Sequence, residues 1–290
     1  MRVLVLLGLL LVPFAAARAQ VGVELDDVTD NRVSAGQITG SLEIRVKLKG
    51  GAQLEKASAA RIVVKEAKDD RGNALADSKS APDFTPRDYN SGTLQFSLKP
   101  PARAASSVKL KGTVELFVPS RDPSAVVTVD KALGKLDAPL SAKALKAAKV
   151  EITPLSRTGY AAALKERKID DKKIEEIRAA GKAHGASEKD IETAIALAKA
   201  FDAMDTEPPE NAVILSGAKD DFDRVFRVEV LGADGKPIDT RGRSTSTRGE
   251  SAIMVLEPSE APPANASLQL MLLTDKARVS YPFELTVRLP

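Results

Sequence analysis

The chain has 290 residues, 43% hydrophobic, 29% charged and 4% aromatic, with no cysteine, no tryptophan, one histidine and a formal net charge of +3. This inventory excludes disulfides, thiol catalysis and the usual zinc sites, and it leaves little aromatic surface for stacking on sugars. Charges of both signs are close to balance, so no broad field steers the chain toward nucleic acid.

Met1-Arg2 followed by the apolar run Val3–Ala17 and the small-x-small site Ala17-Arg18-Ala19 predicts a cleaved secretory signal peptide over residues 1–19. The run is shorter than the ~20 apolar residues that span a bilayer. No later stretch matches it, so the expectation is a secreted or periplasmic protein with no membrane span after cleavage. A chain without disulfides then needs cores large enough to stand alone.

Residues 20–155 read as a first β-sandwich domain. Leu42, Ile44, Val46 and Leu48 alternate with charged residues, and Leu94–Leu98 and Val114–Val118 repeat the period of two. Lys49-Gly50-Gly51, Asp70-Arg71-Gly72-Asn73 and Lys99-Pro100-Pro101 supply the turns. Ser141–Lys149 reads as a short basic helix docked on that sandwich, with its lysines in water.

The period changes over residues 156–207, which read as a helical insert, a hairpin or three-helix segment spanning 159–168, 170–184 and 187–204. Asp170 is a candidate N-cap, Gly185 a stop, and Ser187-Glu188-Lys189-Asp190 a capping box with Asp in the place of Glu. Ten basic and ten acidic residues between Ser156 and Asp205 leave the insert neutral.

Residues 208–290 return to β-character and read as a second sandwich. Leu268, Leu270 and Leu272 form one stripe; Phe283, Leu285, Val287 and Leu289 form another. VKEAKDDRGNAL is echoed by VEVLGADGKPI, LQFSLKPPARAA by IMVLEPSEAPPA, and VELFVPSRDPSAVVTV by LQLMLLTDKARVSYPF, in the same order. Matched blocks in one order indicate tandem homologous domains. The whole is mainly β with an α insert. In its turns and alternation it resembles exported bacterial proteins built of immunoglobulin-like or fibronectin-type β-sandwich modules, though the tryptophan and cysteine pair of true immunoglobulin domains is missing.

No nucleophile elbow or phosphate-binding loop is present, and the lone His184 falls at a helix end, where it suits the helix dipole. Asp26, Asp27 and Asp30, and Asp220, Asp221 and Asp223, are the candidate metal ligands, with calcium the ion such oxygen donors would take. Neither set has the spacing of an EF-hand loop. Arg241, Arg243 and Arg248 in TRGRSTSTRGES are the candidate binding residues, on what reads as a long polar hairpin. The expected role is non-enzymatic: a structural or interaction protein whose partner is another envelope or extracellular protein. The alternatives are a module binding an anionic glycan, a peptide or calcium, and a hydrolase using carboxylates alone.

Overall fold

The computed structural model describes residues 21–31, 40–50, 52–76, 82–86, 92–168, 170–203 and 207–290. The expected signal peptide lies outside the described residues. The fold is mainly β, with every strand pairing antiparallel. In chain order the strands are β1 Gly22–Asn31, β2 Ser41–Lys49, β3 Ala59–Asp69, β4 Thr85–Pro86, β5 Thr93–Leu98, β6 Ser107–Phe117 and β7 Val126–Val129. They continue as β8 Ile152–Leu155, β9 Val213–Ala218, β10 Val225–Leu231, β11 Thr240–Arg248, β12 Ser251–Pro258, β13 Ser267–Leu272 and β14 Arg278–Arg288. Among the described residues six α-helices join them: α1 Ala52–Glu55, α2 Lys143–Ala148, α3 Arg157–Arg167, α4 Asp171–Ala183, α5 Glu188–Ala203 and α6 Lys219–Asp223.

The chain forms two compact units: residues up to Arg121 together with Asp275–Pro290, and Asp122–Thr274. In the first unit the sheets run β1-β2-β5 and β14-β6-β3-β4; in the second they run β11-β12-β9-β8 and β10-β13-β7. One core in each unit draws on both of its sheets. Leu42, Ile44 and Val46 meet Leu110, Val114 and Leu116 in the first; Leu215, Met254 and Leu256 meet Val230, Leu268 and Leu270 in the second. The alternation read from sequence is the cause, because a period of two puts one face of each strand out of water.

These units do not follow the linear boundaries at 155 and 207. Phe283 and Val287 of β14 lie in the first core, because β14 pairs along its length with β6. β7 pairs instead with β13, so the last strand of the chain closes the first unit rather than the second. Likewise Leu145 of α2 is buried in the second core, not on the first sandwich, since the chain has already crossed at Asp122.

The helical stretch forms helices close to those expected, within the second unit and between β8 and β9. Ser156 caps α3 by accepting from Gly159 N at 2.9 Å, and Asp170 caps α4 by accepting from Lys173 N at 2.8 Å. Ser187 and Asp190 bond reciprocally: Asp190 N donates to Ser187 Oγ at 3.2 Å, and Ser187 Oγ donates to Asp190 Oδ2 at 2.6 Å. Arg178 of α4 reaches Glu192 of α5 at 2.8 Å, joining the two helices at their surface. Among the described residues no helix is long and apolar enough to cross a membrane.

Candidate functional site

Strand β11 reads TRGRSTSTR, has no large apolar residue, and forms the edge of its sheet. Seven of its nine residues are exposed. Charge and hydroxyls along an edge discourage uncontrolled strand addition. It is therefore a strand, not the loop of a hairpin. β12 supplies the reason: its alternate residues Ala252, Met254 and Leu256 enter the core, while Ile253 and Val255 cover the outer face, and β11 pairs with it from Thr240 to Arg248.

Across that outer face lies α3. Its start is fixed by Asp137, whose carboxylate accepts from Ser156 N at 2.9 Å, and the Ser156 hydrogen bonds hold the Asp137 carboxyl below the usual carboxylate range. Arg157 in the first turn donates to the carbonyls of Pro208, Pro209 and Glu210, tying the chain that returns from α5. At the other end Arg167 Nη2 donates to Ser246 O at 2.9 Å and Oγ at 3.2 Å, while Arg248 Nη1 donates to Arg167 O at 3.2 Å. The helix is thus held at its start to the Pro208–Glu210 segment and at its end to the edge strand.

Between them is a cleft of about 200 Å³, floored by Ile253 and Val255 and walled by Tyr160, Leu164, Arg167, Ser244, Ser246, Glu207 and Glu257. Its apolar floor and polar rim suit the binding of a side chain or small polar molecule. The chain's one histidine caps α4 and is exposed, so no imidazole stands beside Ser244 or Ser246 to activate a hydroxyl. A second hollow of about 340 Å³ lies by Leu133, Leu136, Leu155 and Pro262 in the same unit.

The three arginines singled out in the sequence are not one patch. Arg248 turns toward α3; Arg243, five residues away along a strand of period two, faces the other way and donates to Phe226 O at 3.2 Å. Arg241 is exposed and is itself the bulged residue between Thr240 and Gly242. Arg167, Glu207 and Glu257 escaped the sequence reading, since only the fold brings α3, the Pro208 segment and β12 to one place.

The aspartate sets also differ from expectation. Asp26, Asp27 and Asp30 are spread along β1, with Asp26 the bulged residue and Asp27 accepting from Val28 N at 2.9 Å. Asp220 and Asp221 occupy the first turn of α6, and Asp223 pairs with Lys219 at 3.9 Å. Among the described residues no three acidic or histidine side chains gather to hold a metal ion. No family model matches this chain, and no curated protein or solved structure matches it.

Proposed function

We propose that this is an exported, non-enzymatic protein of the cell envelope or extracellular space that binds a protein partner through the edge strand β11. In this reading the two units are immunoglobulin- or fibronectin-like sandwiches, and α3–α5 form an insert that shapes the recognition surface. The observation that carries it is the polar edge strand, seven of its nine residues exposed, bearing Arg241 and Arg243 and lying beside a cleft. An extended acidic segment of a partner would add a strand at this edge, its backbone supplying affinity and one side chain entering the cleft. Export rests on the amino-terminal sequence, and the non-enzymatic role on the place of the one histidine, exposed at the end of α4 and not among the residues that line the cleft.

The test is affinity capture from envelope and extracellular fractions with the mature chain, with Ser246→Pro and with Arg241→Glu. Proline at an edge removes a backbone donor, and reversing an exposed charge should weaken capture on the order of tenfold. Equal recovery of the same partner by all three proteins would dismiss β11 as the binding element. The exposed Arg241 on β11 favours a second reading, a module for an anionic glycan or peptide; a thermal shift with polyanions that Arg241→Glu abolishes would support it.

A further inference from the structure

The two units repeat one another in detail that the strand order alone does not require. After β3, Asp69 N donates to Asn73 O at 3.1 Å, Gly72 N to Asp69 O at 3.0 Å and Leu75 N to Ala67 O at 2.9 Å. After β10, Gly232 N donates to Lys236 O at 2.8 Å, Gly235 N to Gly232 O at 3.0 Å and Ile238 N to Val230 O at 2.8 Å. Gly72 and Gly235 both take the left-handed conformation, at φ +88° and +77°, as such a turn requires. Lys68 bridges to Ala74 as Leu231 bridges to Pro237.

The ladders follow suit. β3 pairs with β6, placing Ala67 opposite Leu110; β10 pairs with β13, placing Val230 opposite Leu268. β2 lies between β1 and β5 as β9 lies between β8 and β12. The remaining position, beside β6 in one unit and beside β13 in the other, is filled by β14 and β7 respectively.

That last correspondence is crossed. The strand that follows β6 in sequence is β7, and the strand that follows β13 is β14. Consecutive antiparallel strands usually pair as hairpins, which would put β7 on β6 and β14 on β13. We propose that the units are copies of one sandwich, alike in six strands and differing in that β4 pairs with β3 while β11 pairs with β12, that have exchanged their last strands within a single chain. Exchange of an identical element conserves the contacts it makes, so it costs little once a connection resists turning back. The connection after β6 is such a segment: Pro119-Ser120-Arg121-Asp122-Pro123 carries two prolines in five residues, where a tight hairpin would need free backbone donors. After crossing, Asp122 accepts from Thr274 Oγ1 at 2.6 Å, joining the first and last residues of the second unit.

The equivalences make the proposal decidable with four surface positions. Lys111 lies opposite Glu284, and Gln269 opposite Thr128. Because Lys111 corresponds to Gln269 and Glu284 to Thr128, copies that kept their own strands would set Lys111 against Thr128 and Gln269 against Glu284. The chain has no cysteine of its own, so introduced pairs report cleanly. In the full chain, Lys111→Cys/Glu284→Cys and Thr128→Cys/Gln269→Cys should oxidise to intramolecular disulfides, with loss of free thiol and no dimer on non-reducing gels. Lys111→Cys/Thr128→Cys and Gln269→Cys/Glu284→Cys should stay reduced. Oxidation of the latter two pairs, disulfide-linked dimers from the former two, or four reduced pairs would each overturn the exchange.

Discussion

Asp69 is one of two charged or polar residues buried among the described residues, at 5% exposure. Its carboxylate accepts from Ala102 N at 3.0 Å, Asn73 Nδ2 and N at 2.8 Å each, and Arg71 N at 3.0 Å. Those donors, the Ala102 amide first, lower its pKa from 3.8 to about 2. A depressed folded pKa gives stability that is present above the unfolded value and lost as pH falls through the folded one. Stability should therefore fall between about pH 4 and pH 2, with Asp70, whose pKa the Ser106 hydrogen bonds also lower, contributing in the same sense. Asp69→Asn should lower stability at neutral pH and flatten that acid limb, measured as denaturant midpoints across pH; an unchanged limb would assign it elsewhere. The sequence marked residues 70–73 as a turn but passed over Asp69, because nothing local shows that its side chain will fold inward over that turn and reach Ala102. In the second unit the residue at the same place in the turn is Gly232, so the device belongs to the first unit.

Elements were legible where their signals are local. Caps at Asp170 and Ser187, the alternation of β2, and the Gly72 turn all depend on residues within one turn or hairpin, and they stand in the structure as read. β11 is an arm of the polar hairpin whose strand character has no signal of its own, because Arg, Ser, Thr and Gly make no apolar face; β12 makes it a strand by pairing. The repeats fare similarly. The first matched block is in register at its turn. The third is displaced, since the ladders put Leu110, not Val114, at the place that Leu268 takes in the second unit. Turn chemistry fixes order along a chain, whereas register is set by the partner strand. One element-level consequence concerns β6 and β14. Gly112 sits directly opposite Phe283, and a Cβ there would come 2.8 Å from the Phe283 ring and collide with the Val63 carbonyl. Gly112→Ala should therefore destabilise the first unit by about 1–3 kcal/mol through overpacking. Chemical denaturation measures this, and a neutral outcome would mean that Phe283 does not pack on β6.

At the scale of the whole molecule, the chain passes between its units twice, and the first core is completed by a strand, β14, that lies beyond the whole second unit in sequence. A chain ending at Thr274 lacks β14 and with it Phe283 and Val287 of the first core, while every strand of the second unit remains. It should lose the thermal transition of the first unit and keep that of the second, followed by calorimetry. Loss of both would show that the two unfold as one. By itself the sequence determined the mainly β character, the turns, the helix caps and the placing of a helical stretch between β regions. Each of these follows from periodicity or from residues in contact along the chain. Only the tertiary structure decided which strand closes which unit, where α2 docks and which residues wall the cleft. Those choices depend on pairing between segments as far apart as β6 and β14, where many partners present the same alternation and only their mutual packing selects one.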